Sequence, residues 1–173
     1  MERARVSLDV LGATELFAGL GARDREALAA CLTAHVYAPG ESVFREGDPG
    51  STLFIVASGQ LVASTRRSDG SVQILNEMSA GEVVGEMAFL DSAPRSATVT
   101  AVESTTAYEL TSDTMDVLRR EAPAVVAAIV TGAIRDVTRR LRKLDERIAV
   151  ELENVANAQS VRDPSQGKRE RTR

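Results

Sequence analysis

Between Pro39 and Thr111 the chain is cut into short β-rich runs by turn residues every ten or so positions, and this punctuation limits the possible folds sharply. The runs are Thr52 to Ala57, Leu61 to Thr65, Val72 to Met78, Ala97 to Val102 and Ala107 to Thr111. Ser68-Asp69-Gly70-Ser71 reads as a hairpin turn and Ala80-Gly81-Glu82 as another, because Gly tolerates positive φ and Asp hydrogen-bonds nearby backbone. Ala97, Val99 and Ala101 alternate with Thr98 and Thr100, the period of a half-buried strand. Many short antiparallel strands at this spacing predict a barrel or roll.

The flanks obey a different period. Residues 1–31 read as helical: Ala22 to Leu32 mixes good helix formers with an apolar stripe at Leu28, Cys31 and Leu32, and Gly19 and Gly21 break the segment before it. Pro123 is placed to open a second helical region, and from there to about Ala158 there is no Pro and a single Gly, Gly132. Val130, Ile134, Val137, Leu141, Leu144, Ile148 and Val155 recur at spacings of four and three, a heptad seam that Glu151 interrupts. The expected fold is therefore α+β: an antiparallel, jelly-roll-like β-roll flanked by N-terminal helices and a long C-terminal helix. The expected organisation is residues 1–122 for the N-terminal helices and roll, 123–158 for a long helix serving dimerisation and switching, and 159–173 for a disordered basic tail. From Ser160 onward that tail carries five basic and two acidic side chains.

Composition excludes several function classes. The 173 residues suffice for one domain with a real core plus an appendage. A net charge of −4 argues against a dominant nucleic-acid surface. The single cysteine, Cys31, has no partner for an intrachain disulfide, which fits a reducing cytoplasm. The N-terminus shows no signal-peptide apolar run, and no apolar stretch approaches the ~20 residues of a membrane span. His35 is the sole histidine, so a metal site of several imidazoles and most histidine-based catalysis are excluded.

The stretch Val84 to Val99 carries the chemistry. Gly85 lets backbone approach a ligand closely. Glu86 to Leu90 can form about one helical turn whose N–H groups point at an anion. Arg95 offers a planar fork of donors that matches phosphate. Glu86 would repel a phosphate unless it accepts hydroxyl protons from the same ligand. A phosphate, a hydroxyl-bearing sugar and one short loop together suggest a phosphorylated ribose.

This segment resembles the phosphate-binding cassette of cyclic-nucleotide-binding domains, the type found in the cAMP receptor protein and the protein kinase A regulatory subunit. It matches the pattern G-E-x-A-x-x-x-x-x-P-R-x-A at Gly85, Glu86, Ala88, Pro94, Arg95 and Ala97. Pro39-Gly40-Glu41, Phe44, Glu46-Gly47-Asp48, Phe54-Ile55-Val56 and Ser58-Gly59 resemble the family's first hairpins in order and spacing. The resemblance implies that Arg95 clamps the exocyclic phosphate oxygens, that Glu86 accepts from the ribose 2′-hydroxyl, and that Gly85, Met87, Ala88 and Ala97 act through backbone and small size. Ser96 would donate its hydroxyl to the phosphate; where the family carries Thr here, preference often shifts to cGMP, so Ser leans to cAMP. Leu75 and Val84 are candidate apolar walls for the base. In similar proteins a residue on the long helix reaches the base, and Arg139 and Arg140 lie near that position, although an ordinary solvated arginine accounts for either.

The resulting expectation is a receptor rather than an enzyme, with no catalytic residue, metal or cofactor, and with cAMP or cGMP as ligand. Transcription-regulating relatives carry a helix-turn-helix after the long helix, whereas here only a short polar tail follows. The expected reading is thus a stand-alone member without a DNA-binding domain, for which DNA is not an expected partner. A homodimer through the C-terminal helix, as in bacterial relatives, and an unidentified effector protein are the expected partners. Val130, Ile134 and Val137 are expected to pack on the roll, and the later part of the seam to pair with a second copy. Two alternatives are a transcription regulator or nucleic-acid-associated protein using the basic tail, and a scaffold roll that has lost ligand binding; the intact Glu86 and Arg95 argue against the latter.

Overall fold

The computed structural model describes residues 5–162, apart from the side chains at positions 136, 140, 143, 147 and 155–162. Among them the chain forms two units, the first extending to Ala133 and the second beginning at Ile134. The first opens with α1 (Leu8–Ala13), a single 3₁₀ turn (Glu15–Phe17) and α2 (Ala22–Ala30). Eight strands follow: β1 (Thr33–Tyr37), β2 (Ser42–Phe44), β3 (Thr52–Ser58), β4 (Gln60–Arg66), β5 (Val72–Ser79), β6 (Val83–Val84), β7 (Thr98–Ala101) and β8 (Thr105–Thr111). The short helix α3 (Glu86–Asp91) lies between β6 and β7, and α4 (Ser112–Glu121) and α5 (Pro123–Arg162) close the described chain.

The strands form two four-stranded antiparallel sheets, in the orders β1-β8-β3-β6 and β2-β7-β4-β5. β3 shows how sequence period builds both layers. Its Leu53 and Ile55 enter a core shared with Leu11, Phe17, Leu28, Leu110 and Leu118, between the first sheet and the helices. Phe54 and Val56, on the opposite face, enter a second core between the sheets with Leu61, Met78, Val84 and Val99. On β8, Tyr108 and Leu110 belong to the first core and Ala107 to the second. The turn expected at Ser68-Asp69-Gly70-Ser71 closes β4 onto β5, with Arg67 N–H donating to Ser71 O at 2.9 Å and Asp69 Oδ1 accepting from Ser71 N–H at 2.8 Å.

The roll agrees with the sequence expectation, but the helices after it depart in three respects. The helix α4 was not expected; Thr111 and Thr114 cap its start reciprocally, and Met115 and Leu118 anchor it. The stripe that buries the start of α5 is Val125, Ile129 and Ala133, not Val130, Ile134 and Val137. One residue turns a helix by about 100°, so a stripe displaced by a single position faces another way. Ile134 and Val137 are exposed. Finally, α5 runs to Arg162, past the expected start of the tail; residues 163–173, where the rest of that tail falls, lie outside the described residues. In the second unit Leu141, Leu144 and Ile148 are also exposed. No helix among the described residues is long and apolar enough to cross a membrane.

Candidate ligand-binding site

β6 pairs with β3, with Phe54 opposite Val84, and delivers the chain to Gly85 at the mouth of the roll. Gly85 has φ +86°, and a Cβ there would come within 2.5 Å of Arg95 Nη1 and 3.2 Å of Thr52 O. Both the backbone conformation and the close approach require glycine. α3 begins on the next residue, and the N–H groups of its first turn have no acceptor within the helix. Ser92 ends it with φ 58°, the one non-glycine residue in left-handed backbone among those described.

Arg95 is then locked into the loop that follows β2. Its N–H donates to Asp48 O and its carbonyl accepts from Gly47 N–H, each at 2.8 Å. Asp48 Oδ2 in turn accepts from Arg45 N–H, also at 2.8 Å. Gly50, in the same loop, lies so close to α3 that a Cβ would overlap Ala88 Cβ and Ala93 O.

The Arg95 side chain is 4% exposed. Nη1 donates to Gly85 O at 3.0 Å, and Nη2 donates to Thr52 O at 2.6 Å and to Thr52 Oγ1 at 2.7 Å. The Phe44 ring covers one face, 4.1 Å from the guanidinium carbon. Nε–H is buried with no acceptor among the described residues. Burial pulls the pKa of Arg95 below the ordinary arginine value, while the carboxylates of Asp48, Glu109 and Glu86 act in the opposite sense. An arginine stays cationic under such opposing effects. Glu86 is itself only 2% exposed, an unusual place for a carboxylate unless it is paired or hydrogen-bonded. Glu109 also meets His35, with Nε2 and Oε2 2.7 Å apart. The Tyr37 hydroxyl is pushed up to about 12 by burial, with Glu109 and Glu41 adding to the effect. Chemically, the site offers a buried cation with an unanswered donor, first-turn amides and an adjacent buried carboxylate: partners for an anion and a hydroxyl on one small molecule.

In the cassette Glu86, Ala88, Arg95 and Ala97 are buried, Gly85 is half-buried and Met87 is exposed. Ser96 is exposed. Val84 packs in the inter-sheet core, whereas Leu75 is a half-exposed bulge residue on the edge strand β5, between Ala63↔Asn76 and Ser64↔Ile74. Arg140 belongs to the second unit, and its side chain is outside the described residues; Arg139 is exposed. Sequence reasoning missed Thr52, Phe44 and Gly50. Phe44 was read only as part of the first hairpins and Thr52 only as the start of a strand, while the turn composition of Gly47-Asp48-Pro49-Gly50 was the only local signal of the loop that holds Gly50. No group of three or more His, Cys, Asp or Glu side chains among the described residues could hold a metal ion.

The family model of the cyclic nucleotide-binding domain matches residues 34–122. The chain belongs to that family. The Cyclic AMP receptor protein of Thermus thermophilus is 32% identical over 124 residues, covering 70% of this chain and 57% of that protein. A CRP-like cAMP-activated global transcriptional regulator of Mycobacterium tuberculosis is 26% identical over 141 residues, covering 82% of this chain and 61% of the relative. The chain thus spans about three fifths of the length of these curated relatives. Among solved structures, the N-terminal domain of a transcriptional regulator from Streptomyces coelicolor A3(2) superposes with a TM-score of 0.65 at 31% identity, covering 81% of this chain and 95% of that one.

Proposed function

We propose that this domain is a cyclic-nucleotide receptor that takes cAMP in preference to cGMP. The phosphate would sit against Arg95 and the first turn of α3, and the ribose against Glu86. One observation carries the reading: a buried guanidinium keeps its Nε–H without an acceptor beside a buried carboxylate. A cyclic phosphate would answer the first, and a 2′-hydroxyl of the same ligand could donate to the second. Ser96 at the cassette's end supports the preference for cAMP. In this reading the site acts by binding, and its output is a conformational signal read by a separate protein partner. A ligand shifts such a switch only by binding one state better than the other.

Calorimetric titration with both nucleotides tests this reading directly. Tighter binding of cAMP than of cGMP is expected, and heat from neither at hundreds of micromolar would overturn it. The role of Glu86 has its own test. Wild type is expected to bind 2′-deoxy-cAMP at least about tenfold more weakly than cAMP, as loss of a hydrogen bond to a charged group implies. In Glu86→Ala the two should differ by less than about threefold. Equal affinity for the two ligands in wild type would remove the ribose contact.

The exposed seam of Ile134, Val137, Leu141, Leu144 and Ile148 supports a parallel homodimer through α5. Light scattering should give twice the chain mass for wild type and the chain mass for Leu141→Glu/Leu144→Glu. A monomeric wild type, with and without nucleotide, excludes the dimer.

A further inference from the structure

We propose that Thr52 is a positioning residue for Arg95, holding the guanidinium so that its Nε–H edge is presented to the phosphate; this rests on the cyclic-nucleotide reading of the site. Thr52 starts β3, in the sheet opposite the one that Arg95 leads into, and the two residues are 43 positions apart. An arginine carries five N–H donors on a long side chain with many rotamers. Here Nη2 has both hydrogens engaged by the one threonine, through its carbonyl at 2.6 Å and its Oγ1 at 2.7 Å. Nη1 uses one hydrogen on Gly85 O at 3.0 Å, and Phe44 blocks one face of the plane. The donors left over are Nε–H and the second hydrogen of Nη1. Nε–H is the one that is buried with no acceptor among the described residues.

A buried donor without an acceptor is costly, so its persistence points to an acceptor that a ligand supplies. The carbonyl of residue 52 would be present whatever side chain stood there. Oγ1 is the contribution particular to threonine, which serine alone among near-isosteres can reproduce. Without it one Nη2–H loses its acceptor, and the guanidinium gains freedom to rotate its Nε edge away from the phosphate. The opposite hypothesis, that Oγ1 competes with the ligand for Nη2, predicts tighter binding when the hydroxyl is removed.

The test uses Thr52→Val, which keeps the shape and the strand-favouring branch, and Thr52→Ser, which keeps the hydroxyl. For Thr52→Val, calorimetric affinity for cAMP should fall about tenfold, the size expected for one charge-assisted hydrogen bond, while Thr52→Ser stays within about twofold of wild type. A second readout needs no nucleotide. The Arg95 Nε–H resonance, assigned by its disappearance in Arg95→Lys, should exchange slowly with solvent in wild type and Thr52→Ser and about tenfold faster in Thr52→Val. Unchanged or tighter cAMP binding by Thr52→Val, a loss that Thr52→Ser shares, or unaltered Nε–H exchange would each overturn the role. If wild type binds neither cyclic nucleotide while the exchange difference persists, the hold of Thr52 on Arg95 stands and the nucleotide reading falls.

Discussion

Arg95→Ala is expected to abolish cyclic-nucleotide binding at micromolar concentrations. The substitution removes three hydrogen bonds and the stacking on Phe44, and it leaves Asp48, Glu109 and Glu86 without the cation they surround. A pocket that gripped phosphate would then repel it. Truncating one partner of a buried charge-assisted pair costs ~2–5 kcal/mol, or roughly thirty- to several thousand-fold in affinity. The roll should still form, because the guanidinium belongs to neither core and meets the second only through Phe44 at its margin. A melting midpoint a few degrees below wild type would reflect the orphaned carbonyls of Gly85 and Thr52. Arg95→Lys separates charge from fork: it keeps the cation but not the planar donors, and its affinity should lie between the two. Calorimetry decides, and a dissociation constant for Arg95→Ala within about twofold of wild type would remove Arg95 from the site.

Gly50→Ala is expected to have the second largest effect, although residue 50 offers no side chain to any ligand. The added methyl would overlap Ala88 Cβ and the Ala93 carbonyl, and would stand 3.0 Å from the Ala88 carbonyl carbon. Two of these three atoms are backbone, so no rotamer change relieves the contact; α3 itself must shift. Overpacking of this kind costs ~1–3 kcal/mol. The displacement falls on the turn whose amides would face the phosphate, so affinity should drop at least about tenfold. Thermal unfolding followed by circular dichroism should show a lower midpoint with an unchanged spectrum. Gly19→Ala is the control, because a Cβ there meets nothing within 4 Å. Equal nucleotide affinity in Gly50→Ala and Gly19→Ala would show that α3 tolerates the shift.

These two residues mark the boundary of what the sequence makes legible. All five runs read from turn punctuation coincide with strands, to within a residue or two, because alternation and turn chemistry are local properties. β1 escaped that reading: none of Thr33 to Tyr37 is fully buried and Val36 faces solvent, so no clean alternation is written there. α4 escaped because only Met115 and Leu118 of its ten residues are buried, too few to repeat a stripe; Thr111 and Thr114 were its one visible signal. The cassette was legible because its parts are contiguous. Thr52 and Phe44 were not, because they reach Arg95 only through tertiary structure, Phe44 once β2 has paired with β7 and Thr52 once the two sheets have packed. The start of α5 shows a third kind of limit. A heptad seam and a packing stripe share one helix, and periodicity alone does not say which of two neighbouring stripes the roll covers.

The placement of Arg95 between the sheets also bears on how binding would be felt. Thr52 begins β3 and Gly85 follows β6, both of one sheet, while Arg95 leads into β7 of the other. Its guanidinium is a strut joining the two halves of the sandwich at one rim. A ligand that adds bonds to that strut stiffens the rim without displacing any strand. The earliest trace of occupancy would then be slower breathing of the sandwich, visible as retarded amide exchange at Gly47 and Arg95, the two N–H groups that tie this loop to the arginine's own backbone.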